Sequence, residues 1–274
     1  MDHDALAGPR RDHAATLARY DRQLRLGARP DGPGVRVERV GPVVRQTGPA
    51  HVWNGILWSG IQEQGDTDAA VAEQIRHFTA LGLPFEWKVY GHDGPAGLAG
   101  RLLAAGFTAE EEETLMVAEA AALPTSVELP DGVELVPVTD AAGVELVTRV
   151  HDRAFGGDSS HIGRQLLDRL ATAPGTVAAV LAMADGEPVS AARLELCPGT
   201  DFAGLWGGGT VEAWRGRGLY RALVAYRTRI AVERGHRYVQ VDAAATSRPI
   251  LLRLGFTALT TTTPYVYVPQ VPQG

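Results

Sequence analysis

The chain has 274 residues, enough for one large domain or two of ordinary size, and its apolar content of 45% supplies ample core. A formal charge of −6 with no basic stripe argues against nucleic acid as a partner and suits a small or cationic substrate. The single cysteine, Cys197, rules out an intrachain disulfide framework and a cysteine-built zinc site, and it points to a reducing compartment. Asp2, Asp4, Arg10, Arg11 and Asp12 interrupt the first apolar residues, so there is no signal-peptide core. No stretch approaches the ~18 uncharged apolar residues of a membrane span, and the expectation is a soluble, cytoplasmic protein without membrane contact.

In chain order, the pattern predicts a charged amphipathic helix over Asp12–Leu26, a Gly/Pro loop over Arg29–Gly34, and strands over Val35–Val44 and His51–Trp58. A helix follows over Thr67–Leu81, then a strand over Phe85–Tyr90 and a short helix over Ala96–Ala105. The acidic run Glu110–Glu113 leads to a proline-marked segment, Pro124–Asp131, which reads as a linker between domains 1–123 and 132–274. Beyond it come a strand over Val133–Val138 and helices over Asp140–Ala154 and His161–Thr172, joined by the flexible Phe155–Ser160 connector. Strands over Val177–Ala184 and Pro188–Leu196 meet at Asp185-Gly186-Glu187, because Asp-Gly tolerates positive φ between two apolar runs. A third strand, Phe202–Val211, precedes a glycine-rich loop, a long helix over Leu219–Arg234, a strand over Tyr238–Ala243, a helix through Arg253 and a last strand over Tyr265–Val268.

Two segments recur. Leu103-Ala104-Ala105-Gly106-Phe107-Thr108-Ala109 is echoed by Leu252-Arg253-Leu254-Gly255-Phe256-Thr257-Ala258, each after a helix and before a strand. Upstream of each copy, a helix ends near a glycine, Gly82 or Gly235, and passes into a strand. Two matches in the same order at similar separation point to a degenerate tandem repeat.

The most informative segment runs from Val211 to Leu223 and holds Arg215-Gly216-Arg217-Gly218-Leu219-Tyr220. A strand end, a tight glycine turn and a helix beginning near Gly218 would present free N–H groups and the positive end of a helix dipole, an arrangement suited to a pyrophosphate. Arg215, Arg217 and Arg221 add cationic donors. Neither a Gly-Lys-Ser/Thr ending nor an early G-x-G-x-x-G is present, which sets aside nucleotide P-loops and dinucleotide sites.

On these residues the C-terminal half resembles the GNAT superfamily of acyl-CoA N-acyltransferases, whose signature Arg/Gln-x-x-Gly-x-Gly/Ala is matched by Arg215 and Gly218, with Tyr220 where glycine or alanine is usual. The resemblance implies an α/β (α+β) fold of two tandem GNAT-like domains, each a mixed, mostly antiparallel sheet flanked by helices, with a degenerate N-terminal copy. It implies acetyl-CoA or another acyl-CoA as co-substrate with no metal, an amine of a small molecule as acceptor, and it leaves a homodimer open. It places the pantetheine arm along Gly209, Thr210 and Val211, the pyrophosphate over Arg215, Gly216, Arg217, Gly218, Leu219 and Tyr220, and Ser247 where asparagine often contacts the arm.

The chemistry needs a base for an amine of pKa about 10 and an acid for a thiolate whose thiol has pKa about 8 to 9. Leu251 stands where the family often has the acidic tyrosine, which turns attention to Tyr220, Tyr265 and Tyr267. Glu195 and Glu212 are the leading carboxylates for the base, with Asp242 third, and Glu195, Glu212 and Tyr265 form the expected catalytic set. His151, Asp152, Asp158, Ser159 and His161 surround the connector that would cover the acceptor. The N-terminal half has Glu63, Asp66 and Asp68 where the other half has arginines, which would repel a pyrophosphate. The absent tyrosine also admits an acyl-CoA-binding protein without catalysis, and a carrier-protein donor is a further alternative.

Overall fold

A computed structural model describes residues 8–63 and 65–270; Asp2 and Asp4 lie outside them. The first elements are α1 (Gly8–Tyr20), running on as a π-helical turn over Asp21–Leu26, then β1 (Arg36–Val40), β2 (Val43–Thr47), β3 (Gly55–Ser59), α2 (Thr67–Leu81), β4 (Phe85–Tyr90) and α3 (Leu98–Ala104). There follow β5 (Thr108–Ala109), β6 (Glu113–Glu119), β7 (Val133–Val138), α4 (Ala141–Phe155), α5 (Ser160–Thr172), β8 (Val177–Ala184), β9 (Glu187–Leu196) and β10 (Phe202–Thr210). The last are α6 (Leu219–Glu233), β11 (Tyr238–Ala243), α7 (Arg248–Leu254) and β12 (Thr257–Tyr267).

The expected strand over Val35–Val44 is the hairpin β1–β2, because Gly41 takes φ +56° and turns the chain. The strand expected from His51 begins at Gly55. Asn54 holds the preceding turn, its side-chain oxygen accepting from Gly48 N and its amide donating to Pro49 O and Val52 O.

The chain forms two compact units, Met1–Leu115 with Leu259–Gly274, and Met116–Ala258. Strands of the first lie in the order β1-β2-β3-β4-β12 with β5 on β12; those of the second lie in the order β6-β11-β10-β9-β8-β7. Pairing is parallel at β3–β4 and β10–β11 and antiparallel at β1–β2, β2–β3, β4–β12, β7–β8, β8–β9 and β9–β10. Each unit is thus a mixed, mostly antiparallel sheet with helices packed on it.

Two segments sit elsewhere than the sequence suggests. Leu123, at the head of the proline-marked stretch, is buried in the second unit's core with Leu194, Val224 and Leu251. The last strand starts at Thr257, and its portion from Thr262 to Tyr267 pairs with β4 inside the first unit. Four threonines at 260–263 precede the strand expected from Tyr265, and their β-branched side chains fit a pleated strand well.

The internal repeat has a common geometry. Leu83 N bonds Phe78 O at 3.0 Å past Gly82, and His236 N bonds Ala231 O at 2.9 Å past Gly235. Phe107 N bonds Leu102 O at 3.1 Å past Gly106, and Phe256 N bonds Leu251 O at 3.0 Å past Gly255. All four glycines have positive φ, so each helix closes on the same left-handed cap. Phe107 and Phe256 then enter the cores of their own units.

Candidate active site

The site of the second unit begins with two strands that part. β10 pairs with β11 only from Phe202–Gly204 against Tyr238–Gln240. Toward β9, its register breaks between Trp206 and Gly209, where Gly207 takes φ +58°. A bulge there turns backbone groups out of the ladder. Ser190 fixes the far side, its hydroxyl donating to Gly209 O at 2.7 Å and meeting the Thr210 hydroxyl at 2.8 Å.

Past Val211 the chain makes a 3-10 turn over Glu212–Trp214 and enters α6 through Gly218, whose φ is +87° and which offers no side-chain cap. The first bond of α6 runs from Ala222 N to Gly218 O, so the amides before it lack intrahelical partners. Leu219 is buried and pins the helix start to the core. Arg215 is committed to the loop itself, donating to Thr210 O at 3.1 Å and Ala154 O at 3.0 Å. Arg217 lies over the Trp214 ring at 4.5 Å, and Gly216 turns with φ +75°. A groove of about 460 Å³ adjoins the helix start, lined by Arg217, Gly218 and Arg221, by Leu254 of α7, and by Glu128 and Leu129 of the proline-marked segment.

Inside the opening, the Tyr220 phenol is directed toward Ser247 at the head of α7, and a Cβ built on Gly208 would come within 3.1 Å of its ring. Burial pushes the Tyr220 phenol above its ordinary pKa, against the pull of Arg227 and Ser247. The Ser247 hydroxyl donates to Ala244 O at 3.1 Å and does not cap the helix. Leu251 is fully buried core. Arg227 is a buried cation held by carbonyls alone, donating to Leu223 O at 3.0 Å, Arg193 O at 3.0 Å and Trp206 O at 3.3 Å. Its burial brings its pKa down to about 10.

On the α4–α5 side, His151 Nε2 lies 2.9 Å from Gly207 O. Burial depresses the imidazole pKa, opposed by that carbonyl, so the ring is neutral at pH 7 with its Nδ1 lone pair available. The sequence placed His151 only near a flexible connector. Its period on α4, with the buried Val144 and Val147, was the signal that it faces the sheet.

The three residues of the expected catalytic set have different surroundings. Glu195 is bound by Arg193 Nε at 3.0 Å and Arg169 Nη1 at 3.2 Å. Burial works against its charge, but the two guanidiniums overcome this and hold its pKa below the ordinary carboxylate range. Such a carboxylate is a poor proton acceptor. Glu212 is exposed at the start of the 3-10 turn. Tyr265 belongs to the first unit, paired with Trp87 and packed in a core with Phe85 and Phe107. Its aromatic body serves that core because β12 leaves the second unit at Leu259.

The first unit has the corresponding opening, and protein groups occupy it. β3 pairs with β4 in parallel at Gly55–Glu86 and Ile56–Trp87. Beyond this the Arg25 guanidinium sits 4.7 Å from the Trp58 ring centre and 3.8 Å from that of Tyr90, with Nε donating to Leu57 O at 3.0 Å. Asp21 at 2.8 Å and Asp93 at 2.6 Å balance its charge. The start of α2 is also occupied, since Asp66 accepts from Ala69 N at 2.8 Å. Glu63 accepts from Ala96 N, and Asp68 pairs with Arg101.

Parted parallel strands beside an uncapped, glycine-led helix leave the second unit with an opening whose geometry suits an extended ligand arm and an anionic group. Residues 145–256 match the family model "Acetyltransferase (GNAT) family". No curated protein sequence matches the chain. Among solved structures it is similar to a GCN5-related N-acetyltransferase from Kribbella flavida, with 23% identity over 98% of each chain and a TM-score of 0.65. A tandem GNAT protein from the clavulanic acid biosynthesis pathway shares 15% identity over 88% of this chain and 85% of its own, with a TM-score of 0.60. A GCN5-related N-acetyltransferase from Sphaerobacter thermophilus shares 15% identity over 85% of this chain and 84% of its own, with a TM-score of 0.59. These likenesses establish a tandem GNAT fold. Among the described residues no helix is long and apolar enough to cross a membrane.

Proposed function

We propose that the second unit is an acyl-CoA-dependent N-acyltransferase that moves an acyl group, acetyl in the simplest case, directly to the amine of a small molecule. The observation that carries this reading is the divergence of β10 from β11 after Gly204 beside the uncapped start of α6 at Gly218. A pantetheine arm would lie along Gly209, Thr210 and Val211. The pyrophosphate would meet the free amides of Leu219 and Tyr220, with Arg217 and Arg221 at the rim.

The amine attacks the thioester carbon, the C–S bond breaks, and the amine proton passes to His151 Nδ1 while the leaving thiolate takes the Tyr220 proton. Tyr220 supplies the phenol that Leu251 lacks, and its raised pKa keeps it protonated at neutral pH. His151 replaces Glu195 as base because it is neutral and free of an ion pair. Glu212, exposed beside the loop, is the alternative acceptor.

Leu251 alone would favour acyl-CoA binding without catalysis, but the Tyr220–Ser247 pair weighs against it. Thiol release from acetyl-CoA across a panel of small amines tests the proposal. Amine-dependent release supports it, whereas CoA binding by calorimetry with no turnover on any amine, and no change in Tyr220→Phe, would leave only the binding reading.

A further inference from the structure

Around the bulge of β10 the charges do not balance. Arg169 from α5, Arg193 from β9 and Arg227 from α6 approach the β9–β10 segment, while Glu195 is the carboxylate that pairs there, with Arg169 and Arg193. His151 is neutral, and Asp152 is engaged with Ser159 N at 2.8 Å. Arg227 spends its charge on carbonyls. Arg193 differs. Only its Nε is used, on Glu195, and Nη1 and Nη2 bond no described residue. The tip is turned toward the bulge, since a Cβ built on Gly207 would lie 3.5 Å from Arg193 Nη1 and 2.9 Å from the His151 ring. A planar fork with two unspent donors, in a partly desolvated cleft with surplus positive charge, matches the geometry of one carboxylate.

We propose that Arg193 recognises a carboxylate carried by the substrate at this bulge. The proposal rests on the acyl-transfer reading above and narrows its substrate class. The carboxylate belongs either to the acceptor, as in an amino acid, or to the far end of the acyl group, as in a dicarboxylic mono-thioester. In both cases the reacting carbonyl sits by Gly207 and the carboxylate binds Arg193 Nη1 and Nη2 side by side.

Two arms of one kinetic experiment separate the sources. In the first, acetyl-CoA is the donor and each proteinogenic amino acid is compared with its carboxamide. In the second, succinyl-CoA is compared with acetyl-CoA on the carboxamides. The wild type should prefer the carboxylate-bearing member of one arm by about tenfold or more in kcat/KM, in line with a charged hydrogen-bonded pair. Arg193→Gln should bring that ratio near one. Arg193→Lys, which keeps a cation for Glu195 but loses the fork, should give an intermediate ratio and covers the case in which the Gln variant does not fold. If no amine is acylated, the acyl-transfer reading has failed, and calorimetry still reads the carboxylate: N-acetylglycine or succinate should bind the CoA-loaded wild type more tightly than the Lys variant. Equal rates in both arms, an unchanged ratio in Arg193→Lys, or no carboxylate binding would overturn the proposal.

Discussion

His151 donates from Nε2 to the Gly207 carbonyl across 2.9 Å, tying α4 to the bulge of β10. A carbonyl only accepts, so Nε2 carries the proton and Nδ1 holds the lone pair. Burial keeps the ring pKa below its ordinary value of about 6.5.

The pH profile follows. The unfolded chain binds more protons than the folded one between the depressed pKa and the ordinary value. Stability therefore rises with pH through that window and falls as acid carries the pH down through it. The kcat/KM profile should show an acid limb with a pKa below the ordinary histidine value. His151→Gln keeps an amide donor for Gly207 O but should lose the limb and about a hundredfold in rate. An intact acid limb in that variant would remove His151 as base.

Tyr220→Phe removes the phenol and keeps the ring that packs by Gly208. The expected outcome is a fall in kcat of about tenfold to a hundredfold, with acyl-CoA affinity within a few-fold of wild type. Rapid-quench measurement of thiol release in a single turnover checks this directly, because slow product release cannot mask the chemical step there.

Gly218→Glu places a carboxylate at the open start of α6. Because Gly218 has φ +87°, any side chain strains the turn, so Gly218→Ala is the control, with only Arg221 Nη2, 3.5 Å away, near the added methyl. Relative to the alanine variant, the glutamate should weaken CoA binding by about tenfold or more in calorimetry. Equal affinities would show that the pyrophosphate lies elsewhere.

One acyl-CoA should bind per chain. The first unit's opening is filled by Arg25 between Trp58 and Tyr90, and the start of α2 is capped by Asp66. Calorimetry should give a single site, weakened about tenfold or more by Gly218→Glu in the full chain. Arg25→Ala should not create a second site but should cost about 3–5 kcal/mol, since Asp93 would lose its buried cation and Asp21 would keep only His92, at 2.8 Å. Two equivalent sites per chain would contradict this division.

Much of the second unit was legible because its signals are local. The Asp185-Gly186 turn, with φ +49° and +79°, and the Gly218 helix start depend on backbone freedom that the residue types declare. The repeat was legible for the same reason, since Gly106 and Gly255 announce identical helix closures. Glu195 misled because its type suggests a base, while Arg169 and Arg193, distant or alternate in sequence, decide that it is a fixed anion.

The sequence by itself determined the tandem pattern, the glycine-led start of α6 and the absence of the usual phenol at Leu251, because each is written in a few adjacent residues. Only the tertiary structure decided that Tyr265 packs into the first unit's core, that Arg25 fills that unit's opening, and that His151 and Arg193 converge on Gly207. These outcomes depend on which strands pair and which helix face meets the sheet. Such long-range choices are fixed by burying apolar area and pairing buried polar groups across the whole fold, and no short window of sequence contains both partners.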